Sequence, residues 1–410
     1  MARVYPFEPY RYAHSAGPLS KLVTQPYDKI SPAMRAHYLA ASPYNLVRVL
    51  LGERFPADDD SNNVYTRASG LLQEWILSGV LAREDSPSLY AYFQEFTVPD
   101  SGERRVRKGF IGLGALEEYS AGVVHRHEQT LSGPKKDRME LLRHTHAHFG
   151  QIFMLYDDAG LAVDALLDEA AACPADAVVE DEYKVVHRLW RISTPARIHS
   201  IVSAMADRKL LIADGHHRYE TALAFGKDNP TLTGADRVMM TFVNMNSPGL
   251  TILATHRLVH GLAAFDAARF IASVGARRLR SLSELRDIFG HAAPDRVRIG
   301  IALPGSGGIH LFEKPREAGE LDVQVLHTRL LGETLGISEA DVREEKNVHY
   351  VRGLDSAFEA VEAGGAQAAF LLEPVGIQQV AEIAFSGGVM PQKSTDFYPK
   401  LLSGLTIYKL

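Results

Sequence analysis

The sequence predicts an α/β fold with mixed sheets, in two units, and three observations carry that reading. At 410 residues the chain is too long for one compact core. Apolar runs of strand length alternate with segments whose apolar residues recur at helical spacing. After about Gly261 the texture shifts to a closer alternation of short strands and helices. Residues 1–260 are therefore expected to form one unit. Residues 261–410 form a smaller C-terminal α/β unit.

Taken in order, the elements follow from pattern and punctuation. Residues 55–63 (FPADDDSNN) make a polar loop that leads into a helix through Ala68, Leu71, Leu72, Trp75 and Ile76. Two alternating runs, 89–98 and 106–116, flank Pro-Asp-Ser-Gly-Glu and read as an antiparallel hairpin. Gly109, Gly112 and Gly114 lie inside the second run, where they mark bulges or close packing rather than a dinucleotide loop. Pro134 opens a helix over 135–148. A strand over 184–192, a helix over 196–206 and a strand ending at Asp214 come next. Residues 237–244 (RVMMTFVN) and 250–259 read as further strands. In the C-terminal part, helices are expected over 266–274, 323–335 and 377–385, with strands over 297–303, 309–313 and 367–372.

Composition narrows the function classes. The chain is 46% hydrophobic and 23% charged, which suits a globular protein. Its net charge of −6 argues against general nucleic-acid binding. Cys173 stands alone, so neither a disulfide nor a cysteine zinc cluster is expected. No apolar run approaches membrane-spanning length, and the start (MARVYPFEPYRYAH) lacks the make-up of a signal or transit peptide. A cytoplasmic protein without a membrane partner is expected.

The most informative stretch is Leu210-Leu211-Ile212-Ala213-Asp214-Gly215-His216-His217-Arg218-Tyr219-Glu220. An apolar strand ends in an acid, turns at glycine and enters a helix through two histidines and an arginine. The first helical turn offers unpaired N–H groups to an anion, and imidazole and guanidinium add donors suited to phosphate. Gly215, His216, His217 and Arg218 are thus candidate phosphate or nucleotide ligands. Asp214 is the candidate ligand for Mg2+.

This turn resembles the signature of the bacterial and archaeal family catalogued as domain of unknown function 1015. Other blocks share the resemblance: Pro26-Tyr27-Asp28-Lys29-Ile30-Ser31-Pro32, Ser42-Pro43-Tyr44-Asn45-Leu46-Val47-Arg48, His127-Glu128-Gln129-Thr130, Gly133-Pro134-Lys135-Lys136-Asp137-Arg138 and Met390-Pro391-Gln392-Lys393-Ser394-Thr395. They span nearly the whole chain. Asp396 departs from the pattern, standing where an aromatic is expected. The acid-Gly-His-His-Arg turn is also similar to the nucleotide-binding turn of the ParB/sulfiredoxin superfamily. That similarity implies a ParB/sulfiredoxin-like N-terminal unit, and the superfamily includes free-serine kinases.

Phosphoryl transfer needs phosphate charge neutralised, a divalent ion held and a nucleophile oriented. Lys135 and Arg138, three apart at a helix start, share a face and could grip the transferred group. Lys393, Ser394 and Thr395 form a second anion-friendly cluster. Glu128 is the candidate general base, with His127 and Asp28 as competitors. A solvated surface or turn-forming role is the plain alternative for each.

More than half of the 17 histidines fall between His125 and His217, so a histidine-ligated metal hydrolase is a rival. On a helix His144 and His148 could share a face, whereas His144 and His146 could not. No P-loop motif and no Gly-x-Gly-x-x-Gly after a strand is present. The favoured reading is a phosphotransferase or phosphatase acting on a small hydroxyl metabolite, serine or phosphoserine first. Mg2+ and ATP or ADP are the expected cofactors, and a nucleotide or phosphorylated small molecule the expected partner. A non-catalytic nucleotide- or metabolite-sensing regulator is the other alternative. Residues alone leave open the direction of transfer, the donor, any homo-oligomerisation and the role of the C-terminal unit.

Overall fold

The expected hairpin lies in the middle of the first sheet. Leu89–Thr97 pairs antiparallel with Arg104–Ala115, with Tyr90 opposite Ile111 and Thr97 opposite Arg104. Gly109 sits in this pair because a Cβ there would fall 2.6 Å from the Phe242 carbonyl oxygen on the next strand, so close packing explains it. The computed structural model describes residues 1–128 and 132–410. Gln129 and Thr130 of the His127-Glu128-Gln129-Thr130 block lie outside the described residues.

Among the described residues, nine strands make this sheet. Its order is Val124–His125, Leu210–Asp214, Ile152–Tyr156, Arg237–Asn244, Arg104–Ala115, Leu89–Thr97, Val186–Ile192 and Ala177–Glu180, with Val4–Tyr5 also paired to Arg104–Ala115. Parallel and antiparallel pairs are mixed, as expected: Arg237–Asn244 runs parallel to Ile152–Tyr156 and antiparallel to Arg104–Ala115. Period-two alternation gives the sheet two buried faces. Leu89, Ala91, Phe93, Leu210 and Ile212 pack with Val163, Leu167, Ile201 and Met205 from the covering helices. Tyr90, Tyr92, Ile111 and Leu211 face the other way, into a core shared with the second sheet.

The second sheet is antiparallel throughout. Its six strands run Arg277–Arg278, Gly308–Pro315, Arg296–Leu303, Ala368–Leu371, Thr255–Val259 and Val348–Arg352. Val259, Ile299, Ile301 and Phe370 join the same apolar cluster as the first sheet's Tyr90 and Leu211. The C-terminal segment then returns. Met390 N–H donates to the His127 carbonyl at 2.7 Å, Asp396–Tyr398 pairs with Thr251–Leu253, and Tyr408–Lys409 pairs with Ala147–His148.

Three expected elements are corrected. The single strand over 250–259 is two, Thr251–Leu253 and Thr255–Val259, in different sheets. The alternation continues through Ala254, but partner choice is non-local and changes there. The helix expected over 135–148 spans Ser132–Thr145. His146 takes a left-handed φ of 47° and ends it, so His148 sits on a strand and shares no helix face with His144. The helix over 323–335 is α only at Asp322–Val325 and widens into π turns over Leu326–Thr334. Among the described residues, no helix is long and apolar enough to cross a membrane.

Candidate active site

The strand Leu210–Asp214 delivers its acid to a cleft of about 770 Å³. Strand register breaks between Ile212 and Asp214, a bulge of the kind that re-aims a side chain. Gly215 follows at φ 97° and the helix His216–Asp228 begins. A Cβ at Gly215 would stand 3.1–3.2 Å from the Arg218 guanidinium. Gly215→Ala is therefore expected to cost about 1–2 kcal/mol, from the left-handed backbone and this crowding together, measurable by urea denaturation.

Asp214 is the centre of a row of alternating charges. Its Oδ2 accepts from Arg218 Nη2 at 2.6 Å, and its Oδ1 from Lys400 Nζ at 3.0 Å. Lys400 also meets Asp396 Oδ1 at 3.2 Å, and Asp396 Oδ2 accepts from Arg352 Nε at 2.6 Å. Burial works against the charge on Asp214, but Lys400, Arg218 and Lys29 outweigh it and hold the carboxyl far below its usual range. Burial likewise opposes the charge on Lys400, and Asp214 and Asp396 overcome it, raising its pKa. Each Asp214 oxygen is thus already engaged by a cation, one by Arg218 and the other by Lys400. Arg218 is also turned back, its Nη1 donating to the Gln151 carbonyl at 2.6 Å.

Glu128 reaches the cleft from the opposite wall, where it bridges to Met390. Burial pushes its carboxyl up to about 7, only partly countered by Lys393, Lys400 and Lys29, while Asp214 raises it further. Behind it runs a hydrogen-bonded row. His127 is fully buried, with Nδ1 2.8 Å from the Ile212 carbonyl oxygen and Nε2 2.8 Å from Thr395 Oγ1. Burial holds the His127 pKa down to about 4, so the ring is neutral near pH 7. A carbonyl only accepts, so Nδ1 carries the hydrogen and Nε2 accepts from the Thr395 hydroxyl. Thr395 Oγ1, 3.5 Å from Glu128 Oε1, is thereby left as an acceptor facing a carboxyl poised to carry a proton.

Cations complete the wall. Lys29 and Lys393 line the cleft, and among the described residues neither makes an ion pair with a carboxylate. Burial, then Lys400, lowers the Lys29 pKa. Lys393 adopts φ 56°, a left-handed turn that is uncommon outside glycine. Asp28 is exposed at the cleft and outside any ion pair among the described residues.

The fold thus gathers Asp28, Glu128, Asp214, Gly215, His216, His217, Arg218, Lys393 and Thr395 at one cleft. The remaining candidates take other positions, and not every residue at the cleft brings charge to it. His127 stands behind Thr395 rather than at the surface. Burial keeps the His216 pKa well below its ordinary value, so its ring, edge-on to His127 at 4.9 Å, brings no positive charge. Lys135 pairs with Glu220. Arg138 is buried over the Tyr27 ring at 4.3 Å and donates to the Leu50 carbonyl at 3.1 Å. Ser394 lines a separate cavity and donates to the Pro391 carbonyl at 2.5 Å. The histidines proposed for a metal centre are dispersed: His144 Nδ1 lies 2.8 Å from the Glu140 carbonyl oxygen, and His148 stacks on Tyr408. Among the described residues, no three His, Cys, Asp or Glu side chains assemble as a metal set.

Lys29, Lys400 and Arg352 were not singled out from the sequence. Lys29 adjoins Asp28 in a block already noted, so a signal existed. Lys400, within Tyr-Pro-Lys-Leu-Leu, carries none.

A family model described as a protein of unknown function, DUF1015, matches residues 4–330. The chain belongs to the DUF1015 family. Lys393, Thr395, Asp396 and Lys400 lie C-terminal to the matched span, yet in this DUF1015 protein they form one wall of the cleft. No curated protein sequence matches the chain. Among solved structures, it is similar to a variant free serine kinase in complex with ADP, at 11% identity and a TM-score of 0.39, over 70% of this chain and 88% of that one. A conserved hypothetical protein from Pyrococcus furiosus is similar at 14% identity and TM-score 0.36, over 70% and 91%. SbnI with a C-terminal truncation, from Staphylococcus aureus, is similar at 11% and 0.36, over 72% and 87%.

Proposed function

We propose that the cleft binds a nucleotide or other phosphorylated small molecule and moves a phosphoryl group to or from a small hydroxyl compound, with serine or phosphoserine as the favoured substrate. One observation carries this reading. A half-buried carboxyl poised at about 7 faces a cleft whose lysines, Lys29 and Lys393, are paired to no carboxylate among the described residues. A base of that pKa suits proton removal from a hydroxyl near neutral pH, and free ammonium groups suit phosphate.

In the forward direction Glu128 takes the hydroxyl proton as the substrate oxygen bonds to phosphorus. The bond from phosphorus to the leaving phosphate oxygen breaks, and the charge left there meets Lys29 and Lys393. In the phosphatase direction water bonds to the phosphorus of the phosphorylated compound as Glu128 takes the water proton, the bond from phosphorus to the compound's oxygen breaks, and Glu128 returns the proton to that oxygen as the hydroxyl compound leaves. Gly215 lets the chain bend so that the first-turn N–H groups beside His217 face the bound phosphate. Arg218 and Lys400 act through Asp214, holding the turn in place. On this reading residues 1–260 carry the phosphate turn and the base, and the C-terminal part supplies Lys393 and Thr395 across the cleft.

A thermal-shift series tests the reading, using ADP, ATP, CTP, serine and phosphoserine, each with and without Mg2+. A ligand at a hundredfold excess over its Kd should stabilise the fold by about 2.7 kcal/mol. At least one nucleotide or phosphoserine should raise the Tm, and Lys29→Ala should remove the rise. No shift with any phosphorylated ligand would overturn the proposal.

A further inference from the structure

A second cavity of about 370 Å³ lies at the end of the six-stranded sheet, where Thr255–Val259 and Arg296–Leu303 begin and Ala368–Leu371 ends. Its volume falls in the range of small-molecule sites. Three guanidinium groups line it: Arg257, Arg298 and Arg316. Arg298 is bidentate to Glu373, at 2.9 and 2.6 Å, and Arg316 meets Asp322 at 2.6 Å. Arg257 has no carboxylate partner among the described residues. Only 1% exposed, it donates to the carbonyls of Thr255 and Lys393, the latter at 3.0 Å, and its Nε has no partner.

A buried charge without a paired counter-charge is costly; Arg257 feels the Glu128 carboxyl only from outside the chamber, and within the lining three guanidiniums against two carboxylates leave one formal positive charge. The rest of the lining divides by chemistry. Ala292, Ala293, Pro294 and Val375 offer an apolar wall, while Thr255 and Gln379 are polar. A monoanion with a short aliphatic body satisfies both halves. A phosphate dianion would reverse the charge excess and waste the apolar wall.

We propose that this chamber is a second ligand site, taking a small aliphatic carboxylate on Arg257. Thr255 lines both cavities, and Arg257 holds the Lys393 carbonyl, so an occupant would bear on the turn that carries Lys393 and Thr395. The site does not depend on the phosphoryl-transfer reading of the main cleft.

Titration calorimetry on the full chain tests it, with butyrate and inorganic phosphate as separate probes. Butyrate should bind once per chain. Arg257→Gln should weaken it at least tenfold, and Lys29→Ala, in the main cleft, should leave it unchanged. Ala293→Phe keeps the guanidinium and fills the chamber, so it should also abolish butyrate binding even if Arg257→Gln fails to fold. Absence of butyrate binding, binding of phosphate alone, or butyrate binding lost in Lys29→Ala but retained in Ala293→Phe would overturn the proposal.

Discussion

Glu128→Gln is expected to lower kcat by about 10²- to 10⁴-fold, the usual worth of a positioned general base, while nucleotide affinity survives. The amide keeps the shape of the side chain and its place beside Thr395, and it cannot accept the substrate proton. In the wild type, turnover should climb as pH rises through about 7, because the ionised carboxylate is the active form. The variant's residual rate should lack that step. Stability should move the other way. Burial raises the Glu128 pKa from 4.5, so the group's contribution is fully present below 4.5 and is lost as pH rises through about 7. Glutamine carries no charge, so at pH 8 the variant should be more stable, on the order of 1 kcal/mol. Stopped turnover with unchanged or raised stability marks a base; a variant that keeps full activity refutes the assignment.

Lys400→Met should be the most destabilising of the site substitutions, by about 3–5 kcal/mol at pH 7 in denaturant melts. The ammonium lies between Asp214 and Asp396, its side chain only 10% exposed. Without it the two carboxylates lose their shared counter-charge, and Arg218 and Arg352 each cover one side only. The deficit should shrink on acidification toward pH 5. In the wild type both carboxyl pKa values are depressed, and the stability they contribute is lost only as pH falls through those low values. In the variant those pKa values rise, so protonation relieves the repulsion at milder acidity. A deficit that stays constant with pH would mean that the packing of the lysine stem, not its charge, is what matters.

Much of the fold was legible because it rests on local pattern. Alternation over 89–116 gave the hairpin, and the segment at 377–385 is helical as its spacing requires. Long-range pairing was not legible. The run at 250–259 keeps one alternation while its partner changes from Asp396–Tyr398 to Ala368–Leu371 and Val348–Arg352, and nothing in the run itself encodes the switch. The site divides in the same way. Asp214 and Glu128 stood out by residue type and setting, but Lys135 and Arg138, equally basic, are taken up by Glu220 and by the Tyr27 ring and Leu50 carbonyl.

By itself, the sequence determined the mixed α/β class, the family and the glycine bend after Asp214, since hydrophobic period and turn chemistry act over a few residues. Only the tertiary structure decided that Lys400, nearly 190 positions away, neutralises Asp214, and that Thr395 and a buried His127 stand behind Glu128. Electrostatics and desolvation depend on distance in space, and residues far apart in the chain set both.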